Sequence, residues 1–389
     1  MFYSYLKQIG FELNPHDPCV ANKVINGKQC TIAWYIDDTK ISHVDSQVVS
    51  DVIKQIEERL GKMTITHGDE HTFLGMKIRY VKENGTAEIS MREYYLEESI
   101  AESGLDIVRT AASPAKRCLF EVNENATPLQ HTAFEKFHSV SAKLLYVALR
   151  ARGDLLMAVS FLSTRVSKSI QDQAKLKRLL EHVKGILHYK YTLGADDLRK
   201  LRTWVDASYT VHPDMKSHTG GVMSFGTGGF VCKSTKQKLN TKSSTEAEVV
   251  EASDYLPNTI WVQMFLAEQG HTLVGNTFQQ DNESAMCWLE TNGRISAGQK
   301  SRHIHICYFW IKDRLGSNKI EVQHCPTLAM LADFLLKLYR VICSAVFVML
   351  SLATAISTHC AMISSSRPRS VLERTDRSPN QSQYNAAKQ

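Results

Sequence analysis

The nine cysteines of this 389-residue chain include no Cys-x-x-Cys pair and no Cys/His spacing typical of zinc sites. No secretory leader is recognisable before them. Small secreted disulfide scaffolds and zinc-finger modules are therefore not predicted. We expect the cysteines to be free thiols in a reducing, cytoplasmic compartment.

The composition also lacks extremes. Hydrophobic residues make up 43% and charged residues 22% of the chain, which is typical of a soluble globular protein. The length predicts two or three domains with ample core. A net charge of +6 is compatible with a polyanionic partner but does not require one.

Charge is absent from one stretch, between Val341 and Ser366. This length could span a membrane, but serine, threonine and His359 dilute it, and Arg340 and Arg367 flank both ends, so no orientation follows. The favoured alternative is non-coding DNA read through as protein, which would give a tail without a function of its own. The polar segment Ser364–Gln389 is expected to be disordered.

The stretch Leu201–Tyr209, LRTWVDASY, predicts a short buried strand that carries Asp206. An unpaired buried carboxylate costs several kcal/mol, on the order of 3 or more, so it needs a hydrogen-bond network or a metal ion. A strand-end aspartate that simply turns the chain is the alternative for this segment alone.

Further acidic residues follow in a regular order. Two strands, Thr219–Phe225 and Phe230–Ser234, are joined by a glycine-rich turn, and a helix then begins near Thr241 and runs to about Gln269. Glu246 or Glu248 is predicted at the start of this helix, and Asp281 at the end of a strand over Thr277–Gln280. Asp333 is predicted on a helix within Pro326–Lys337. Several carboxylates are what two neighbouring divalent ions require.

Four motifs in this order, TWVDASY, KSSTEAE, QDNESA and PTLAMLADFLLK, resemble the ribonuclease H domain of copia-type retrotransposon Pol polyproteins. The resemblance implies a mixed sheet flanked by helices that cleaves the RNA strand of an RNA–DNA hybrid with two Mg²⁺ or Mn²⁺ ions. The implied ligands and catalytic residues are Asp206, Glu248, Asp281 and Asp333. Residues two apart on a helix point about 200° apart, so only one of Glu246 and Glu248 can face Asp206, and the resemblance selects Glu248. His303 matches a histidine of the family, with a simple helix-start histidine as the alternative.

A second acidic feature lies near the N-terminus. The stretch Cys30–Lys40 predicts two strands whose tip carries Asp37 and Asp38. Tyr35-Ile36-Asp37-Asp38 resembles the metal-binding tetrad of a reverse transcriptase palm, although Asp-rich turns are also common. The resemblance implies a third carboxylate on an upstream strand. Because this sequence has no such segment, we expect Asp37 and Asp38 to be metal ligands without their partner, and no polymerase activity.

Between these parts the chain is predicted to be helical and basic. The helix over Gln171–Tyr191 sets leucines against Lys175, Lys177, Arg178 and Lys184. This basic face is either a solvated surface or a surface that contacts nucleic-acid phosphates. Ser113–Pro128, with two prolines, is predicted to be a flexible joint.

The predicted fold is therefore a multidomain α/β (α+β) protein. Residues 1–112 are assigned to a partial polymerase palm, 113–200 to a helical connection, 201–338 to a ribonuclease H-like domain, and 339–389 to an apolar and then disordered tail. The expected partners are an RNA–DNA hybrid and other Pol products, in the cytoplasm, a virus-like particle or the nucleus, with no membrane and no small-molecule cofactor. A non-catalytic nucleic-acid-binding remnant and a membrane-anchored protein remain as alternatives.

Overall fold

The computed structural model of the chain describes residues 2–165, 169–290, 302–336 and 359–364. It is a mixed α/β structure with three sheets and flanking helices, which agrees with the predicted class. The helices are α1 (Phe2–Gln8), α2 (Ser46–Leu60), α3 (Glu93–Glu102), α4 (His131–Ala148), α5 (Leu156–Ser163), α6 (Ile170–Gly185), α7 (Ser244–Glu268), α8 (Glu283–Glu290) and α9 (Arg302–Ser317). The strands are β1 (Glu12–Asn14), β2 (Asp17–Ile25), β3 (Lys28–Tyr35), β4 (Asp38–His43), β5 (Thr64–His67), β6 (Glu70–Phe73), β7 (Met76–Val81), β8 (Thr86–Met91), β9 (Tyr191–Ala195), β10 (Lys200–Ser208), β11 (His218–Ser224), β12 (Gly226–Thr227), β13 (Val231–Lys236), β14 (Gly275–Gln280), β15 (Glu321–His324) and β16 (His359–Ser364).

The first sheet has the strand order β1-β2-β3-β4-β16-β5. Strands β3 and β4 form the predicted hairpin, in which Tyr35 pairs with Asp38. Helix α2 covers this sheet because its apolar residues repeat at helical spacing and are buried. Its N-terminus is capped by the Asp45 side chain, which accepts the N–H of Gln47.

Strand β16 comes from the charge-free stretch near the C-terminus. It lies antiparallel between β4 and β5, with Ser364 opposite Asp38 and His359 opposite His43. Six residues of the predicted tail therefore take part in a sheet, while the rest of Val341–Ser366 lies outside the described residues. No helix in the described part of the chain combines the length and apolar character needed to cross a membrane.

The second sheet, in the order β12-β9-β8-β7-β6, packs against the helices α3 to α6. One hydrophobic core contains Phe73 and Ile89 from this sheet together with Leu144 and Leu180 from the helices. This core joins residues on both sides of position 112.

The basic face of α6 binds the chain itself. Arg178 donates to the carbonyl oxygen of Ser113 at 3.1 Å, Lys175 to that of Glu121 and Lys184 to that of Ile107. The bonds from Arg178 and Lys175 join Ser113 and Glu121 of the segment Ser113–Pro128 to the helix, and the flexibility of this segment stays a prediction. The lysine and arginine side chains thus satisfy backbone oxygens of the same chain.

The third sheet has the order β13-β11-β10-β14-β15, with β10 antiparallel to β11 and parallel to β14. Leu201, Thr203 and Val205 of β10 are fully buried and alternate along the strand. Helix α7 packs on this face, where the hydroxyl of Thr203 lies 3.3 Å from that of Thr259. The predicted hairpin of β11 and β13 and the predicted α7 are confirmed.

The helix predicted around Asp333 within Pro326–Lys337 is not an α-helix in the described residues, which end at Leu336. Two short 3-10 segments, Thr327–Ala329 and Leu331–Leu335, stand in its place. Met330 between them has a ψ of 98°, which is extended backbone and interrupts helical hydrogen bonding. The segment still packs against β10 and β11, and this contact positions Asp333.

Candidate metal centre

Asp206 lies near the end of β10, the central strand of the third sheet. It pairs in register with Gly220 of β11 and is 5% exposed. A side chain added at Gly220 would meet Leu336 and the carbonyl of Ala332, so this face of the hairpin is covered by the segment that carries Asp333. Asp206 is therefore held inside the protein between two elements.

Glu248 lies on the second turn of α7 and is also 5% exposed. Glu246 has a different role, because its carboxylate accepts the N–H of Lys242 at 2.7 Å while its own N–H donates to the Ser243 hydroxyl. This reciprocal arrangement satisfies free N–H groups at the start of the helix. The structure thus places Glu248 in the site and Glu246 in the helix cap.

Asp281 follows β14 directly and is half-buried. Its Oδ2 accepts the hydroxyl of Thr327 at 3.1 Å. The neighbouring Gln280 is fully buried and connects the two acids, since its Nε2 donates to Glu248 at 3.3 Å and its Oε1 accepts the N–H of Asp281 at 2.8 Å. Gln280 therefore bonds the carboxylate of Glu248 and the backbone of Asp281.

These three carboxylates form one cluster. Asp206, Glu248 and Asp281 each offer one oxygen, and these oxygens lie within 4.8 Å of one another. Burial makes such a group of like charges unfavourable unless a cation offsets it. Hard oxygen ligands are those that Mg²⁺ and Mn²⁺ prefer, so the donor set fits the ions that the sequence predicts.

Asp333 lies close to this cluster. It is 8% exposed on the second 3-10 segment. Burial raises the pKa of the Cys325 thiol, and the charges of Asp281 and Asp333 raise it as well. Both carboxylates therefore lie near this thiol. Asp333 is not within the 4.8 Å group, and the 3-10 segment that carries it contacts β10 and β11.

Burial dominates the electrostatics of Glu248. Burial, helped by the charge of Asp281, raises the pKa of this carboxyl to about 7, although hydrogen bonds with Glu251, Gln280 and the Ala207 amide oppose the shift. In the metal-free protein, ionised Glu248 is therefore disfavoured.

A pH dependence of stability follows from this shift. Because the folded pKa lies above the unfolded value of about 4.5, the folded state holds the extra proton, and stability falls as pH rises through about 7. Glu248→Gln removes this loss, on the order of 3 kcal/mol. We expect the thermal unfolding midpoint of metal-free Glu248→Gln protein to rise relative to that of wild type as pH increases from 5 to 8. Above pH 8 the difference should change little. A parallel pH profile for the two proteins would contradict the shift; Glu246→Gln is the matched control.

The other predicted site residues stand apart from the cluster. Asp37 is exposed at the tip of the β3–β4 hairpin, and Asp38 accepts the N–H of Leu74 at 3.0 Å. Neither belongs to a group of three metal-ligating residues within the described ranges. His303 lies in α9, but its side chain falls outside what the structure describes. The Asn282 side chain accepts the N–H of Ala285 and so caps α8.

Two residues near the cluster were missed by the sequence analysis. Gln280 shares its strand face with the buried Phe278, two residues earlier, and this period of two could have indicated it. Glu251 is three residues after Glu248 on α7, and this helical spacing places it on the same face. Burial, then the charges of Glu248 and Asp206, raise the pKa of Glu251 well above its usual value.

The fold and site thus define a mixed α/β protein with a buried carboxylate cluster suited to divalent ions. The chain is 25% identical over 352 residues to the Retrovirus-related Pol polyprotein from transposon TNT 1-94 of Nicotiana tabacum, which covers 86% of this chain and 25% of that protein. It is 25% identical over 305 residues to the Pol polyprotein from transposon RE2 of Arabidopsis thaliana, covering 78% of this chain and 20% of that protein. The chain is also 24% identical to the Transposon Ty1-BR Gag-Pol polyprotein of Saccharomyces cerevisiae, over 80% of this chain and 19% of that protein.

The homologues of this chain are therefore retrotransposon Pol polyproteins, as the motif resemblance predicts. The chain spans about a quarter or less of the length of these curated relatives. No known protein-family profile matches it.

Proposed function

We propose that this chain is a retrotransposon-derived Pol fragment whose C-terminal unit hydrolyses the RNA strand of RNA–DNA hybrids with the help of Mg²⁺ or Mn²⁺. The observation that carries the proposal is the group of oxygens from Asp206, Glu248 and Asp281 within 4.8 Å. The order of the four motifs and the Pol polyprotein homologues agree with it.

Each residue of the cluster has a role that follows from its place. Asp206 lies near the end of the central strand β10 and would bind both ions, with Glu248 and Asp281 on one side and Asp333 on the other. When bound, the ions would activate the attacking water and stabilise the leaving 3′-oxygen. Gln280 keeps Glu248 and Asp281 in place, and the low exposure of the carboxylates limits competition from solvent. Preference for RNA would come from contacts to 2′-hydroxyl groups in the shallow minor groove.

The hairpin tip at Asp37 and Asp38 is not assigned an activity. Asp38 already accepts a backbone N–H, and no third carboxylate joins the two in the described part of the chain. Nucleotidyl transfer needs metal ions held by several carboxylates, and the lack of polymerase activity stays a prediction.

The proposal is tested with the purified full chain and three labelled substrates of one sequence: an RNA–DNA hybrid, the single-stranded RNA, and duplex DNA. We expect Mg²⁺- or Mn²⁺-dependent cleavage of the RNA strand in the hybrid alone, abolished by EDTA. Folded protein that binds the hybrid but does not cut it with either metal would instead establish the non-catalytic binding remnant. Equal cleavage of single-stranded RNA would indicate a different nuclease specificity.

A further inference from the structure

A series of buried, hydrogen-bonded side chains leads to the segment that carries Asp333. His212 lies between β10 and β11, His218 begins β11 and Ser234 lies on β13, and all three are buried. Nε2 of His212 lies 2.9 Å from Nδ1 of His218, whose Nε2 lies 2.8 Å from the Ser234 hydroxyl. That hydroxyl donates to the carbonyl oxygen of Leu335 at 2.8 Å. This histidine–serine network therefore ends on the second 3-10 segment.

The direction of these hydrogen bonds follows from the last acceptor. The single proton of the Ser234 hydroxyl is donated to Leu335, so the hydroxyl oxygen accepts the Nε2 proton of His218. Burial lowers the pKa of His218 to about 3 and that of His212 to about 4, so both rings are neutral at physiological pH. A neutral His218 that is protonated on Nε2 accepts through Nδ1, and His212 is its donor.

Aromatic rings of the helical part of the chain enclose the two imidazoles. The ring centroid of Phe120 lies 4.8 Å from that of His212 and 5.4 Å from that of His218. Phe161 of α5 stacks on His212 at 6.2 Å. In such apolar surroundings a hydrogen bond is electrostatically stronger than in water, and an unpaired donor is costly. The rings are thus held in one arrangement.

The bond from Ser234 reaches the 3-10 segment beside Asp206. Ser234 pairs in register with Gly220, and Gly220 pairs with Asp206 on its other side. Leu335 is two residues after Asp333. Because hydrogen-bond geometry in a 3-10 segment is poorer than in an α-helix, an additional bond from the sheet contributes to fixing the position of this segment.

We propose that His218 and Ser234 are positioning residues of the metal centre, which hold the second 3-10 segment through the Leu335 carbonyl and so place Asp333 relative to Asp206. The inference rests on the proposed function for the role of Asp333, but neither residue belongs to the four-acid motif. It also explains why a buried imidazole and a buried hydroxyl meet at this edge of the sheet.

The test compares Ser234→Ala with Ser224→Ala in the full chain. Both variants lose a buried serine hydroxyl that donates to a backbone carbonyl, but Ser224 bonds Gly226 in the glycine-rich turn. We expect Ser234→Ala to lower kcat for the hybrid about tenfold or more with little change in KM, as loss of a group that orients a metal ligand typically does. Ser224→Ala should keep the wild-type kcat. Rates are measured at a temperature at which thermal unfolding shows every variant to be folded.

A second pair of variants tests the histidine. His218→Gln retains an N–H donor toward Ser234, whereas His218→Leu has none. We expect His218→Gln to keep most of the wild-type kcat and His218→Leu to lose as much as Ser234→Ala. If one pair does not fold, the other pair decides.

A kcat of Ser234→Ala equal to that of Ser224→Ala, or equal kcat values for the two His218 variants, would overturn the inference and leave the proposed function intact. If wild type binds Mn²⁺ but does not cleave, the proposed function fails. The same comparison is then made with calorimetric Mn²⁺ affinity, and equal affinities would overturn the inference as well. If wild type neither cleaves nor binds Mn²⁺, both fail.

Discussion

Asp206→Asn and Asp281→Asn are each expected to lower the rate of RNA cleavage at least about a hundredfold. A metal ion contributes several kcal/mol of transition-state stabilisation, and each 1.4 kcal/mol is about a factor of ten in rate. The substitution keeps the side-chain shape but removes a ligand charge from a cluster whose oxygens lie within 4.8 Å. The rate is measured on the hybrid substrate with Mg²⁺ and with Mn²⁺.

Thermal unfolding of the two variants distinguishes a loss of catalysis from a loss of the folded structure. Removing one of several crowded negative charges relieves repulsion in the metal-free protein, so both asparagine variants should unfold at the wild-type temperature or above. Glu246→Gln should retain nearly all of the activity, because Glu246 serves the helix cap rather than the cluster. Full activity in Asp206→Asn would show that the reaction occurs elsewhere.

The second large effect is on stability. Gly221 of β11 lies beneath α7, and a Cβ atom at this position would stand 2.1 Å from Cε2 of Tyr255. Tyr255 is fully buried and cannot move aside. Overpacking of a core typically costs about 1–3 kcal/mol and sometimes more. We therefore expect Gly221→Ala to lower the thermal unfolding midpoint strongly and to abolish cleavage, since Gly221 pairs with Val205 next to Asp206.

A matched control exists in the same sheet. At Gly275 of β14 the nearest atom to an added Cβ is Cγ of Lys200, at 3.6 Å, which is an ordinary contact. Gly275→Ala should be close to wild type in stability. The double variant Gly221→Ala/Tyr255→Ala should be more stable than the sum of the single effects predicts, because the truncated ring makes room for the methyl group. Additive losses in the double variant would contradict the proposed clash.

Local signals in the sequence predicted much of the third sheet and of the site. The glycine-rich turn before Phe230 and the capping Ser243 identify a hairpin and a helix by short-range chemistry. The acids at Asp206 and Asp281 follow buried strands, so their meeting at one end of the sheet could be anticipated. The choice of Glu248 over Glu246 needed the resemblance, because the spacing shows only that one of them can face inward.

Long-range contacts account for what the sequence did not predict. The pairing of β16 with β4 and β5 joins residues that are far apart in the chain, and no local pattern indicates it. The carbonyl partners of Lys175, Arg178 and Lys184 on α6 lie in distant segments, and no local pattern indicates these bonds. Over Pro326–Lys337, the extended Met330 overrides a pattern that otherwise favours a helix.

The central claim is that Asp206, Glu248 and Asp281 hold a divalent metal ion. It is tested most directly by electron paramagnetic resonance of Mn²⁺ titrated into the full chain, since bound Mn²⁺ loses the sharp six-line signal of the free ion. We predict that wild type removes this signal in a saturable manner, that Mg²⁺ competes, and that Asp206→Asn no longer removes it. Saturable binding of the same strength in wild type and Asp206→Asn would contradict the claim.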